Sequence, residues 1–243
     1  MVEFSIITVT FNAENSISKT LKSINRQKYV SLEHIIIDKY SKDKTVELIK
    51  KNKTKKTILF QYNDKGIYDA MNIGIKKSKG DYLIFLNSGD EFYNDKILHK
   101  TNKIIKKVKK KIFYGYTYLK ETKKFIYPKN LKNTFEIPYC HQSIFIKRDI
   151  IKKYPFNIYF KYAADYDQFY KLKKYSFNYL NFCISKISRD GVTNKYQNLT
   201  FKEYFYINKK NNKKFIFSYV RYVFQVLRFY FKVIIKYVLL RKI

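Results

Sequence analysis

The chain is expected to fold as an α/β protein, a mostly parallel sheet flanked by helices and followed by a C-terminal amphipathic helical tail. Three observations predict this. Strand-like apolar runs alternate with segments of helical periodicity over residues 1–125, the pattern of a parallel sheet covered on both faces. Three of those runs end on polar residues: Thr10–Asn12, Asp38 and Asn87–Asp90. Near residue 200 aromatic and basic residues take over, and Glu203 is the last acid in the chain. The expected division is therefore 1–200 for the α/β domain and 201–243 for the tail.

The elements follow in order. Phe4 to Phe11 is a β-branched apolar run, and Ile17, Leu21 and Ile24 then recur at helical spacing, with Asn15 as a plausible N-cap. His34 to Asp38 is a short buried strand ending on a carboxylate, and a helix runs from about Thr45 to Lys51. Thr57 to Tyr62 is the third strand. Ile67 to Lys77 is a helix with Ile67, Met71 and Ile75 on one face. Asp81 to Leu86 is a fourth strand leading straight into Asn-Ser-Gly-Asp. A basic helix over Ile97–Lys111 precedes the strand-like IFYGYTYL, and the mixed region beyond it holds CHQSIFI and AADYDQFYKL.

Composition narrows the function classes. Hydrophobic residues make up 46%, enough for a full core, and the net charge of +32 concerns partners rather than fold. Nucleic acid, an anionic membrane surface and small anionic substrates all fit that charge; a codon bias toward lysine is the competing reading for the scattered lysines. Cys140 and Cys183 lie outside any CxxC pair, which argues against a disulfide framework or structural zinc. The N-terminus carries an acid and no basic region, so no secretory signal is expected and the protein should stay in the cytoplasm. A phosphate loop, a GxGxxG fingerprint and a GxSxG elbow are all missing from the sequence.

Acids near the strand ends suggest the chemistry. Asp90, at the mouth of a parallel sheet, suits a hard cation that bridges two phosphates, although Asn-Ser-Gly-Asp is also an ordinary turn composition. Asp38 suits a base or a ribose, or else its own loop. Asp69 and Asn72, three apart, share a face of the helix that Asp64 and Lys65 precede. Asp165 and Asp167 open a helix, where they are either first-turn acids favoured by the dipole or a general base. His141 has two readings as well, a substrate contact or a structural histidine.

Taken together these segments resemble family 2 glycosyltransferases, over roughly residues 3–195. The resemblance implies the GT-A (Rossmann-like) fold, a nucleotide-sugar donor (a UDP-sugar being the expectation) and an inverting transfer to a hydroxyl. SIITVTFNAE resembles the nucleotide-binding opening strand and implies Thr8, Thr10, Asn12 and Glu14 near the donor. HIIIDKYSKDKT implies Asp38 as a base or ribose contact. DKGIYDAMNIGI resembles a subgroup that builds bacterial cell-surface polysaccharides and implies Asp64, Lys65, Asp69 and Asn72 on the donor side. FLNSGDEF occupies the place of the family's DxD motif, implying Asp90 as ligand of a divalent metal, Mn2+ or Mg2+, with Asn87 and Ser88 beside the donor. AADYDQFYKL resembles the segment of the catalytic base, with Asp165 aligned to it and Asp167 second. His141 and Gln142 resemble an acceptor-side loop, and Arg189 a phosphate-side loop.

In the tail, Arg221, Gln225, Arg228, Lys232 and Lys236 form one narrow polar stripe on a helix from Phe215 to Leu240. Aromatic and aliphatic residues fill the rest, which suits the headgroup boundary of an anionic membrane, and Lys209, Lys210, Lys213 and Lys214 just before it add charge. Packing on the domain or on a second subunit is the other reading. The expected setting is the inner leaflet, with a lipid-linked or glycan acceptor. Two rival functions stand beside this one: a basic nucleic-acid-binding protein, for which no recognition motif is evident and no specific nucleic acid is expected, and a family member that binds sugar nucleotide without transferring it.

Overall fold

Strands β1 (Phe4–Thr10) and β2 (Leu32–Asp38) are buried at every residue, which is why they read as continuous apolar runs rather than alternating ones. The coordinates are a computed structural model that describes residues 3–132, 135–188, 196–211 and 215–240. Along β1 successive side chains enter different cores: Phe4 and Ile6 join one cluster, Ile7 and Val9 the other.

Between these strands lies α1 (Ile17–Asn25), and α2 (Thr45–Asn52) leads to β3 (Thr57–Gln61). Then come α3 (Ile67–Lys77), β4 (Tyr82–Phe85) and the two-residue β5 (Glu91–Phe92). α4 (Ile97–Val108), β6 (Ile112–Leu119) and β7 (Lys124–Ile126) follow. A single 3-10 turn, His141–Ser143, precedes β8 (Ile144–Lys147) and α5 (Arg148–Lys153). The chain continues through α6 (Ala164–Leu172), β9 (Phe177–Ile187), α7 (Gln197–Lys210) and α8 (Phe215–Leu240).

Among the described residues one sheet runs in the order β3-β2-β1-β4-β8-β6-β9-β5, with β7 paired to β6. The first four strands are parallel; β8 enters antiparallel between β4 and β6. From β1 the chain builds outward through β2 and β3, then returns to place β4 on the other side of β1. The carboxyl ends of β1 and β4 therefore flank a topological switch point, where a crevice opens for ligands.

Helix ends differ in detail from the sequence expectation. Ser16, not Asn15, is the N-cap of α1 and makes no side-chain cap bond. The basic helix stops at Val108, because Lys109 turns left-handed (φ 51°) and its N–H closes on Ile105 O. Residue 200 falls in the first turn of α7, whose Tyr204 and Ile207 are buried in the same core as α6.

Gly80 marks a close approach at the amino end of β4. A Cβ there would sit 2.5 Å from the Ser5 backbone nitrogen, while the Gly80 N–H donates to Ser5 Oγ and to the buried Glu33 carboxylate. Gly80→Ala is therefore expected to cost about 1–3 kcal/mol of stability by overpacking, read as a lower urea midpoint with an unchanged m-value.

Candidate functional site

A cleft of about 660 Å3 opens at the switch point. Its walls bring together Thr10 and Asn12 from the end of β1, Asp64 from the loop before α3, Asn87, Ser88 and Asp90 from the turn after β4, and Gln142 from the 3-10 turn. These residues are scattered over the sequence, and the parallel sheet gathers them because its carboxyl ends face one way.

The turn after β4 is held from behind. Thr20 on α1 donates to Asp90 O at 2.8 Å and accepts from Gly89 N–H at 2.9 Å, and Lys120 Nζ donates to Gly89 O at 2.7 Å. Gly89 has φ +96°, a conformation other residues rarely adopt. The Asp90 side chain is consequently buried, and desolvation pushes its carboxyl up to about 6 despite the opposing effects of His141, Gln142 and Lys120. Gln142 Nε2 donates to Asp90 Oδ2 at 3.1 Å.

The 3-10 turn is anchored by hydroxyls. Ser143 Oγ lies 2.7 Å from Thr117 Oγ1 and 2.7 Å from Ser185 Oγ, all three side chains being buried between β6 and β9. With Ser143 fixed, its neighbour Gln142 lines the cleft, whereas His141 and the Asp165 it meets are not among the lining residues. Asn87 Nδ2, which can only donate, is 3.3 Å from His141 Nε2. That leaves the neutral ring's proton on Nδ1, which is 3.5 Å from Asp165 Oδ2. The turn thus links the Asn87–Asp90 segment to α6.

Asp165 and Asp167 both lie in the first turn of α6, two residues and so about 200° apart around the axis. Asp165 faces His141 and the Tyr68 hydroxyl, which donates to Asp165 Oδ1 at 3.3 Å. Burial raises the Tyr68 hydroxyl well above its ordinary range, and the nearby Asp165 charge adds to that. Asp167 faces away and is buried between Lys171 Nζ at 2.6 Å and Lys210 Nζ at 3.7 Å.

Several residues expected at the donor are engaged elsewhere. Thr8 donates to Leu86 O and meets His34 Nε2 inside the sheet, where burial drives the histidine down to about 3 and keeps it neutral. The Asp38 carboxylate is fully buried and accepts from Ser41 N–H, Ser41 Oγ and Gln61 Nε2, so it organises its own loop instead of facing the cleft. Glu14 braces Lys44 N–H, and Asp69 accepts from Lys65 N–H at the start of α3. Asn72 clamps both backbone groups of Phe156. Arg189 lies outside the described residues.

Sequence reasoning missed four contributors: Tyr68, Thr20, Lys120 and Lys39, which lines the cleft and pairs with Asp64 at 3.5 Å. Tyr68 carried a usable signal, a polar tip on the helix between Ile67 and Asp69. The others gave none, since their partners are distant in sequence.

The donor set for a divalent cation is small. Among the described residues no group of three or more His, Cys, Asp or Glu side chains could hold a metal. Asp90 is a single buried carboxylate, and Asn87 Oδ1 beside it is buried without a hydrogen-bond partner. One carboxylate and one amide oxygen suit a hard cation that completes its shell with phosphate and water. They fit a cation shared with a diphosphate, not one caged by protein.

Comparison with known proteins identifies the family and the fold. Residues 5–169 match the family model for Glycosyl transferase family 2. A "PGL/p-HBAD biosynthesis glycosyltransferase" of Mycobacterium tuberculosis is 27% identical over 179 residues, which is 68% of this chain and 67% of that protein. An uncharacterized glycosyltransferase of Rickettsia typhi is 29% identical over 194 residues, covering 73% of this chain and 60% of its own length. Among solved structures, S. aureus TarS 1-349 in complex with UDP-GlcNAc aligns with a TM-score of 0.71 at 18% identity, over 85% of this chain. The mannosyltransferase PcManGT from Pyrobaculum calidifontis, in complex with GDP-Man and Mn2+, aligns at 0.66 and 13% identity over 86% of this chain. In both cases the match spans 64% of the solved chain. At these identities the structural likeness speaks for the fold.

Asp90 yields a prediction. Its raised pKa means that burial of the protonated carboxyl favours folding below the ordinary carboxylate range, and that this contribution is lost as pH rises through about 6. Without metal at pH 7.5, Asp90→Asn should therefore stabilise the fold, by on the order of 2 kcal/mol. Thermal melts should show a higher Tm for the variant, no upward shift on adding Mn2+, and for the native chain a Mn2+-induced shift that fades below about pH 6.

Proposed function

The chain belongs to glycosyltransferase family 2, and from that membership we propose that it moves a sugar from a nucleoside-diphosphate donor to an acceptor hydroxyl, with inversion. The observation that carries this reading is the link from Asp90 through Gln142 and His141 to Asp165, which ties a desolvated acid in the cleft wall to a second carboxylate at the start of α6.

In this reading the nucleotide lies along Thr10, Asn12, Lys39 and Asp64, with its diphosphate against Asn87–Asp90. A Mg2+ or Mn2+ ion held by Asp90 and Asn87 would neutralise the charge that collects on the diphosphate as it departs. Asp165 takes the proton from the acceptor hydroxyl while that oxygen attacks the sugar carbon opposite the diphosphate. The carbon–oxygen bond to the phosphate breaks, the nucleoside diphosphate leaves, and the proton rests on Asp165. His141 orients that carboxylate from one side and the Tyr68 hydroxyl from another. Asp167 is the weaker candidate for the base, because two lysines already neutralise it. A UDP-sugar is the proposed donor, in keeping with the UDP-GlcNAc bound by the S. aureus relative in fold.

The proposed acceptor is lipid-linked or a surface glycan, reached at the inner leaflet of an anionic membrane. α8 supports this. Ile216, Val220, Phe224, Leu227 and Phe231 recur at spacings of four, four, three and four on one face, and all five are exposed. Tyr219 and Tyr222 meet Phe205 of α7 on another side. Arg228 is exposed, while the side chains of Arg221, Lys232 and Lys236 lie outside the described residues. No helix among the described residues is long and apolar enough to cross a membrane, so contact along the surface is the mode proposed.

A panel of nucleotide sugars with Mn2+ should release nucleoside diphosphate from one or a few donors. Tight nucleotide binding with no release from any donor would favour the non-catalytic alternative. Asp165→Asn should lower kcat by about 10³ with nucleotide affinity unchanged, whereas Asp167→Asn should instead lower Tm. Deleting residues 212–243, which leaves α7 in place, should abolish co-sedimentation with phosphatidylserine vesicles; persistent sedimentation would assign membrane contact elsewhere.

A further inference from the structure

The geometry points to Glu203, on α7, as a positioning residue for Asp165, an inference that rests on Asp165 being the base. Its carboxylate accepts three successive backbone N–H groups, Lys161 at 2.9 Å, Tyr162 at 2.9 Å and Ala163 at 2.8 Å. Ala163 is the N-cap of α6 and offers no capping side chain. The base sits two residues later, in a first turn that has no side-chain cap bond of its own. Three converging N–H groups at a helix N-terminus form a positive concavity that an anion fills. In an otherwise basic C-terminal region, the last acid of the chain is spent there.

The same turn carries a second link to the base. The Tyr68 hydroxyl approaches Tyr162 O at 3.3 Å and Asp165 Oδ1 at 3.3 Å. Glu203 therefore fixes both the backbone from which Asp165 springs and the carbonyl that shares the tyrosine proton. The rest of the α6–α7 contact does not depend on it. Asn208 Oδ1 accepts from the hydroxyls of Tyr166 and Tyr170, Lys210 pairs with Asp167, and Ile207 is fully buried. Losing Glu203 would free the turn while α7 stays docked.

The test uses the full chain with its donor and Mn2+, comparing Glu203→Ala, Glu203→Gln and Asp165→Asn alone and in combination. Glu203→Ala should lower kcat roughly tenfold to a hundredfold, the cost of a small misplacement of a catalytic group. Glu203→Gln, which keeps an acceptor oxygen, should lose less. Nucleotide affinity by calorimetry and donor KM should stay within about twofold, since the cleft residues are untouched. In the Asp165→Asn background the Glu203 substitutions should reduce residual turnover no further, because their effect passes through that carboxylate. Multiplying losses, a parallel fall in nucleotide affinity, an unchanged kcat, or failure of both variants to fold would each overturn the proposal and leave Glu203 as a structural brace. A wild-type rate for Asp165→Asn alone would instead dispose of the base assignment, and of this inference with it.

Discussion

Three buried hydroxyls, on Thr117, Ser143 and Ser185, hold the site together. Each oxygen is buried and needs a protein partner: the three meet one another, and Ser143 Oγ also reaches Tyr116 O at 3.3 Å, which fixes where the 3-10 turn sits. Because Ser143 is pinned, Gln142 meets Asp90 and His141 meets both Asn87 and Asp165. If the trio were loosened, the contacts that join the turn after β4 to α6 through His141 and Gln142 would loosen with it. A weak set of neutral hydrogen bonds thus governs a site whose chemistry is electrostatic.

The electrostatics of that site are unbalanced. Asp90 is desolvated and its neighbours do not fully compensate the carboxylate, which is the cause of its raised pKa. Asp167, equally buried, has two lysines and Asp38 has three hydrogen bonds. Of the buried acids near the sheet ends, Asp90 is therefore the one to which an added cation would bring most. A desolvated acid without a full complement of partners is the kind of feature that clusters at functional sites.

The C-terminal region is less separate than its composition implies. α7 shares a core with α6 through Tyr204 and Ile207, and its Glu203, Asn208 and Lys210 all bind groups on or before that helix. α8 continues from it with an apolar face exposed. Charge patterning marked a boundary near residue 200, yet tertiary packing continues across it, because polar side chains on α7 serve as partners for the interior.

Much of the fold was legible in the primary structure. Strand–helix alternation, the four leading strands, the helix at Ile67–Lys77 and the long tail helix all follow from local periodicity, since burial on one face or both imposes it directly. Asp90 could be singled out at the mouth of a strand and Asp165 at the start of a helix, but the roles of metal ligand and base came from the family resemblance and stay proposals. Tertiary structure alone decided which of the named acids are available: Asp38 is occupied by Gln61 from the neighbouring strand, and Asp167 by a lysine 43 residues away. It also supplied Tyr68, Lys39, Thr20 and Glu203, whose partners come from distant segments. Periodicity reports the face a residue buries, but hydrogen-bond and ion-pair partners depend on how elements meet in space, and one-dimensional spacing does not contain that.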